Sequence, residues 1–225
     1  PSGGMRPLTQ QQNYGHTETG PAMSSTFSSD FLNQSKNVTN YVNKYVDLVR
    51  DQLEKIEQIY KLIEGSKNIH IYGKGRSGSV AVCLALRLKH FGYRVSFIGD
   101  VIKEGIDDHD LAIFFSGSGE TSEVVDAALK AKQIGAKIVS VTSYDQSTLA
   151  RNSDVVITFP GGMEKKKGWD YLEAQLSRAE SPFYGGGEFE LFAYIFQETL
   201  VDSIGRYKSI PPSIVAKRHE RDEVL

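Results

Sequence analysis

One cysteine in 225 residues leaves nothing to pair within the chain, so no internal disulfide holds this fold. That cysteine, Cys83, lies in the apolar run Val80–Leu86 and reads as a core residue. The five histidines and the cysteine fall at no metal-ligand spacing, so no metal is expected. Charge of one sign is also lacking: 26 Lys and Arg against 28 Asp and Glu give a net charge of −2. That balance speaks against nucleic acid as a partner, and no acidic block marks a tail. No run approaches the roughly 18 uninterrupted apolar residues of a membrane span. The N-terminal residues have no apolar core of a secretory signal. A cytoplasmic, membrane-free protein is the expectation. The 40% hydrophobic content is enough for one domain with a substantial core.

Residues 1–29 are rich in Gly, Pro, Gln, Ser and Thr and read as a flexible leader, with a single domain over 30–225. From Asp30 to Glu64 the periodicity is helical, with Val42, Val46, Val49, Leu53, Ile56, Ile59, Tyr60 and Ile63 on one stripe. Gly65 supplies its stop. A helix of that length before the first strand suits packing against a partner subunit. Apolar, β-branched runs follow at Ile69–Tyr72, Val95–Ile98, Leu111–Phe115, Ile138–Thr142 and Val155–Phe159. Helical patterns fill the gaps at Ser79–Phe91, Glu123–Ile134 and, more weakly, Ser147–Arg151. Five short apolar strands alternating with helices predict a parallel sheet covered on both faces. After an irregular segment from Gly161 to Tyr184, with Lys165–Lys167 and Trp169, a last long helix runs from Glu188 to Ile204. Beyond Pro211-Pro212 the chain ends in a basic segment with Lys217, Arg218, His219 and Arg221.

Two glycine-rich junctions carry the chemistry. Phe115-Ser116-Gly117-Ser118-Gly119-Glu120-Thr121 joins the third strand to a helix. Such a junction aims backbone N–H groups and the positive end of a helix dipole at one spot, which suits a phosphate. The hydroxyls of Ser116, Ser118 and Thr121 add donors without charge. No lysine stands where a nucleotide P-loop needs one, so a phosphate monoester fits better than a nucleoside triphosphate. A polar turn with good N-caps is the plain alternative. The second junction, Gly73-Lys74-Gly75-Arg76-Ser77-Gly78, follows the first strand. Its G-x-G-x-x-G spacing, with Asp100 beyond the second strand, also admits a dinucleotide site. A dinucleotide has no need of the serine loop after the third strand, whereas a sugar phosphate clasped between two loops does.

The pair Gly73–Gly78 and Ser116–Thr121 resembles the sugar isomerase (SIS) domain. The likeness extends through Arg87–Gly92 and Lys217–His219, which resemble the 6-phospho-3-hexuloisomerase branch of that family. The resemblance implies a three-layer αβα sandwich with a five-stranded parallel sheet of flavodoxin-like type. It implies a homo-oligomer, tetramer or dimer, whose sites combine residues of neighbouring subunits. Ser77, Ser116, Ser118 and Thr121, with Gly75 and Gly117 in the same loops, are then the phosphate-binding positions, and Arg76 steadies the phosphate or the enediolate. The family's phenylalanine-glutamate pair matches Phe189-Glu190, whose carboxylate is the expected base, and the branch's C-terminal histidine matches His219. No cofactor is required.

Moving a carbonyl along a sugar means removing a proton from the neighbouring carbon and returning it through an enediolate. A carboxylate does the first part and a histidine can carry protons between the oxygens; triosephosphate isomerase uses a glutamate as such a base. Each residue has a plainer reading. Glu190 can simply favour a helix dipole, Glu188 competes with it as the base, and His219 can be a solvated tail residue. Arg76 and Arg87 can serve packing or subunit contacts, and His90 and His109 read as structural. The segment 162–184 is longer than the branch's pattern, and Ser181-Pro182-Phe183-Tyr184 replaces its usual approach to the glutamate. The substrate is therefore open, with 3-hexulose 6-phosphate and fructose 6-phosphate leading. A sugar-phosphate-binding regulator is the alternative, disfavoured by the lack of a helix-turn-helix and by the presence of Glu190 and His219.

Overall fold

A computed structural model describes residues 26–162, 183 and 186–221, with the backbone of 222 and 223. Most of the expected leader, Lys165–Lys167, Trp169, and Ser181, Pro182 and Tyr184 lie outside the described residues. Five strands, β1 (Ile69–Gly73), β2 (Val95–Phe97), β3 (Leu111–Phe115), β4 (Lys137–Thr142) and β5 (Val155–Thr158), form one sheet in the order β2-β1-β3-β4-β5. Every neighbouring pair is parallel, as continuous β-branched and aromatic runs buried on both faces require. The strand order reverses between β1 and β3, which puts the switch point at the two glycine-rich junctions.

Alternation along the strands sorts the core into two layers. Ile69, Ile71, Ile113, Phe115, Val139, Val141 and Ile157 face the helices α3 (Leu53–Gly65), α4 (Gly75–Phe91) and α7 (Glu188–Tyr207). Ala112, Phe114 and Ile138 face α5 (Ser122–Ile134) and the short α6 (Thr148–Arg151). The expected three-layer sandwich is present. Phe192 of α7 stacks within an aromatic group made with Tyr45 and Phe159, at centroid distances of 6.4 and 6.1 Å. Burying such a ring is worth about 1.5–3 kcal/mol, and here it fixes the N-terminal half of α7 over the sheet.

The expected helix from Asp30 to Glu64 is instead three: α1 (Phe27–Val42), α2 (Tyr45–Arg50) and α3. Gln52 shows why. It is buried at the break, where its side-chain amide donates to Thr158 O at 2.9 Å and accepts from Thr158 N at 2.8 Å. This amide takes the place of a neighbouring strand at the free edge of β5, and a continuous helix could not turn it there. Of the expected stripe, Ile59 and Ile63 are buried while Val46 and Leu53 are exposed. The helix α8 (Pro212–Glu223) closes the described chain. No helix among the described residues is long and apolar enough to cross a membrane.

Candidate active site

The helix after β1 starts at Gly75 rather than at the expected Ser79, so Arg76 and Ser77 occupy its first turn. Gly78 permits that early start. A Cβ there would stand 2.8 Å from the carbonyl oxygen of Gly73, a backbone atom that cannot yield. The glycine spacing is thereby explained by the close packing of α4 on β1, which is the role of the third glycine in such motifs.

The second junction is held differently. Ser116 N donates to Val141 O, and Gly117 O accepts from Ser143 N, both at 3.0 Å, so the loop is tied to β4. Gly119 has φ +65°, and a Cβ on it would overlap the Ser147 side chain. Ser116 Oγ accepts from Gly119 N at 3.1 Å and Ser118 Oγ accepts from Glu120 N at 3.2 Å. Ser116 Oγ and Thr121 Oγ1 are 3.1 Å apart. Each hydroxyl has one proton, and the Ser118 oxygen is engaged as an acceptor, so its proton can be given to an anion. Thr121 is the N-cap of α5, whose dipole adds its positive end there.

The first turn of α7 reaches both junctions. Glu190 is four-fifths buried by side chain; Oε1 accepts from Ser77 Oγ at 3.2 Å, and Oε2 lies 3.7 Å from Arg76 Nη2. A Cβ on Gly117 would come within 3.1 Å of the Phe189 ring, so the residue before Glu190 packs on the second junction. Glu188 goes elsewhere: it is buried and packs on Gly161, and burial pushes its carboxyl up. Arg76, Ser77 and Glu190 are thus brought together, with Gly117 and its serine loop on the other side of Phe189.

His219 is not brought to them. It lies on α8 against His90, with ring centroids 4.8 Å apart, and His90 is in the last turn of α4. Ser77 and His90 stand at opposite ends of α4, roughly 20 Å apart at 1.5 Å per residue. His219 there lines a cavity of about 690 Å3 together with Arg87, His90 and Arg206. Arg87 is paired to Glu198 at 3.1 Å, and Arg218 donates to the carbonyl oxygen of His90. The contact of His90 with His219 was missed by the sequence, where the pair is separated by well over a hundred residues and only the fold joins them. His109 is exposed, and Cys83 is half-buried rather than in the core, its thiol pushed up by burial and then by Glu198. No cluster of His, Cys, Asp or Glu among the described residues could hold a metal ion.

The 2-1-3-4-5 order defines a doubly wound α/β domain whose paired glycine-serine junctions meet at the switch point. The chain belongs to the SIS domain family, which its residues 62–182 match. It is 36% identical to an uncharacterised protein of Archaeoglobus fulgidus over 82% of this chain and 91% of that one. It is 32% identical to the 3-hexulose-6-phosphate isomerase of Mycobacterium gastri over 81% of this chain and 89% of that one. A solved structure from Methanococcus jannaschii, for which the molecular function of 3-hexulose-6-phosphate isomerase was inferred, superposes with a TM-score of 0.65 at 28% identity, covering 84% of this chain and 97% of that one.

Proposed function

We propose that this chain is a sugar-phosphate isomerase, with 3-hexulose 6-phosphate and fructose 6-phosphate as its substrate pair. One observation carries the reading: α7 presents a carboxylate to the first glycine-rich junction while the residue before it rests on the second. Its relatives named as 3-hexulose-6-phosphate isomerases support the substrate pair.

The phosphate sits in the loop Ser116–Thr121, held by hydroxyl protons and the N-terminal end of α5. With the carbonyl at C3, Glu190 takes the proton from C2, and the electrons pass into a 2,3-enediolate. The carboxylic acid so formed returns its proton to C3, and the carbonyl forms at C2. The proton exchanged between O2 and O3 passes through an imidazole. Arg76 lies near enough to Glu190 to steady the enediolate charge. His219 of the same chain is at the other end of α4, so the imidazole comes from a second copy, which makes the working unit a homo-oligomer with shared sites.

The test is to incubate the full chain with five- to seven-carbon sugar phosphates in deuterated water and follow exchange by NMR. Exchange at C3 of fructose 6-phosphate is expected; exchange at C1 alone would indicate an aldose–ketose reaction instead. Tight binding with no exchange of any sugar phosphate would overturn the enzyme reading and leave a binding module.

A further inference from the structure

The serine loop after β3 has hydroxyl protons and a helix end to offer a phosphate, and no cation of its own. The charge stands next door. Gly73 and Phe115 are partners in register on β1 and β3, so Lys74 and Ser116 leave the sheet side by side, about 4.8 Å apart. Lys74 is the N-cap of α4, and its side chain crosses to the second junction, where Nζ lies 3.7 Å from Glu123 Oε1. Glu123 is in the first turn of α5, two residues after the N-cap Thr121. The ammonium therefore stands beside the helix end onto which the serine loop opens.

The ion pair that holds it there is weak. Both side chains are about half exposed, at 51% and 56%, and 3.7 Å is too long for a hydrogen bond. Glu123 does not depend on the pair. Its own backbone N–H and the Ser122 hydroxyl, at 3.0 Å, are the main groups that hold its carboxyl below the usual carboxylate range. Lysine is also an unfavourable choice at this position, because the positive end of the α4 dipole repels a cation. Glu123 offsets part of that repulsion, and a phosphate dianion offsets more through a charge-assisted hydrogen bond. Arg76, the other cation of the junction, faces Glu190 instead.

We propose that Lys74 is a binding residue for the substrate phosphate, turning from Glu123 to the dianion held in the Ser116–Thr121 loop. Glu123 is the counter-ion it leaves, and so competes with the phosphate for the ammonium. The proposal rests on the phosphate sitting in that loop. It supplies the full positive charge that the loop lacks, and it separates the two cations of the first junction. Lys74 serves the phosphate end of the substrate and Arg76 the reacting end.

The test measures affinity for a hexitol 6-phosphate, which has no carbonyl to isomerise, by calorimetry in the full chain. Lys74→Met keeps the apolar stem and removes the charge, and affinity is expected to fall about tenfold, with Lys74→Arg retaining most of it. Glu123→Gln is expected to act in the opposite direction and raise affinity about threefold, since the ammonium then has no anion to leave. Binding should also lose part of its salt dependence in Lys74→Met. Thermal unfolding is the control: an exposed pair adds little to stability, so both variants should melt with the wild type. Affinity within about twofold of wild type in Lys74→Met would overturn the proposal. So would a fall in Glu123→Gln matching that in Lys74→Met, which would make the pair a strut between the junctions. Ser118→Ala with Thr121→Ala separates this proposal from the reading beneath it. Unchanged affinity there removes the phosphate from the loop and the proposal with it. A fall there beside unchanged affinity in Lys74→Met overturns the assignment of Lys74 alone.

Discussion

The two glycine-serine junctions are near twins in composition and opposites in wiring. After β3, serine oxygens accept the loop's own N–H groups, ties to β4 and α6 hold the backbone, and hydroxyl protons are left for a guest. After β1, helix starts almost at once, glycine serves close packing, and the serine proton is given to a carboxylate from the far end of the chain. The lesson is that a serine beside a glycine says a donor is present; only the direction of its single proton says for whom.

Substitutions can break that contrast in order of effect. Glu190→Gln removes the acid-base group while keeping shape, and kcat should fall about a thousandfold with hexitol 6-phosphate affinity nearly unchanged. An equal loss of affinity would place Glu190 among the phosphate ligands instead. Ser118→Ala with Thr121→Ala should weaken binding of the same probe at least about a hundredfold in calorimetry, since each hydrogen bond to a charged group is worth about 1.5–3 kcal/mol. Unchanged affinity would remove the phosphate from this junction. Gly78→Ala sharpens the contrast from the packing side. Its Cβ meets backbone in the first junction, so thermal unfolding should show a loss of about 1–3 kcal/mol.

The smallest effect comes from the opposite ends of the strands, just before β3, and serves as a reference. Asp110 is buried there; burial pushes its carboxyl up, but the N–H of Asp107, His70 and Asn68 together hold it below the usual carboxylate range. A depressed folded value means stability that is complete above the unfolded value of about 3.9 and lost as pH falls through the folded one. Denaturant titrations should therefore show stability falling below about pH 4 in the wild type, with a shallower fall in Asp110→Asn. Catalytic constants near neutrality should not follow that slope.

Much of this was legible in the sequence. Runs such as Leu111–Phe115 are apolar on both faces, which only a covered parallel strand tolerates, and the glycines after them mark where the chain turns out of the sheet. The place of Glu190 in the first turn of a long helix was legible from the apolar pattern that follows it. What could not be read was anything decided by one side chain finding a distant partner. Gln52 breaks a periodic helix because an amide at the edge of β5 has N–H and C=O groups to satisfy, and nothing near Gln52 in sequence shows it. His219 lies beside His90 because α8 folds back on the last turn of α4. The same limit hid the contact of Ser77 with Glu190, 113 residues away in the chain.

The central claim is that the phosphate is held by one junction and the proton is moved by a carboxylate held at the other. The most direct measurement follows exchange of the C3 hydrogen of fructose 6-phosphate in deuterated water by wild type and Glu190→Gln, with hexitol 6-phosphate affinity read on the same preparations. The account predicts exchange slowed about a thousandfold in Glu190→Gln at an affinity within about twofold of wild type. Exchange at the wild-type rate in Glu190→Gln would contradict it.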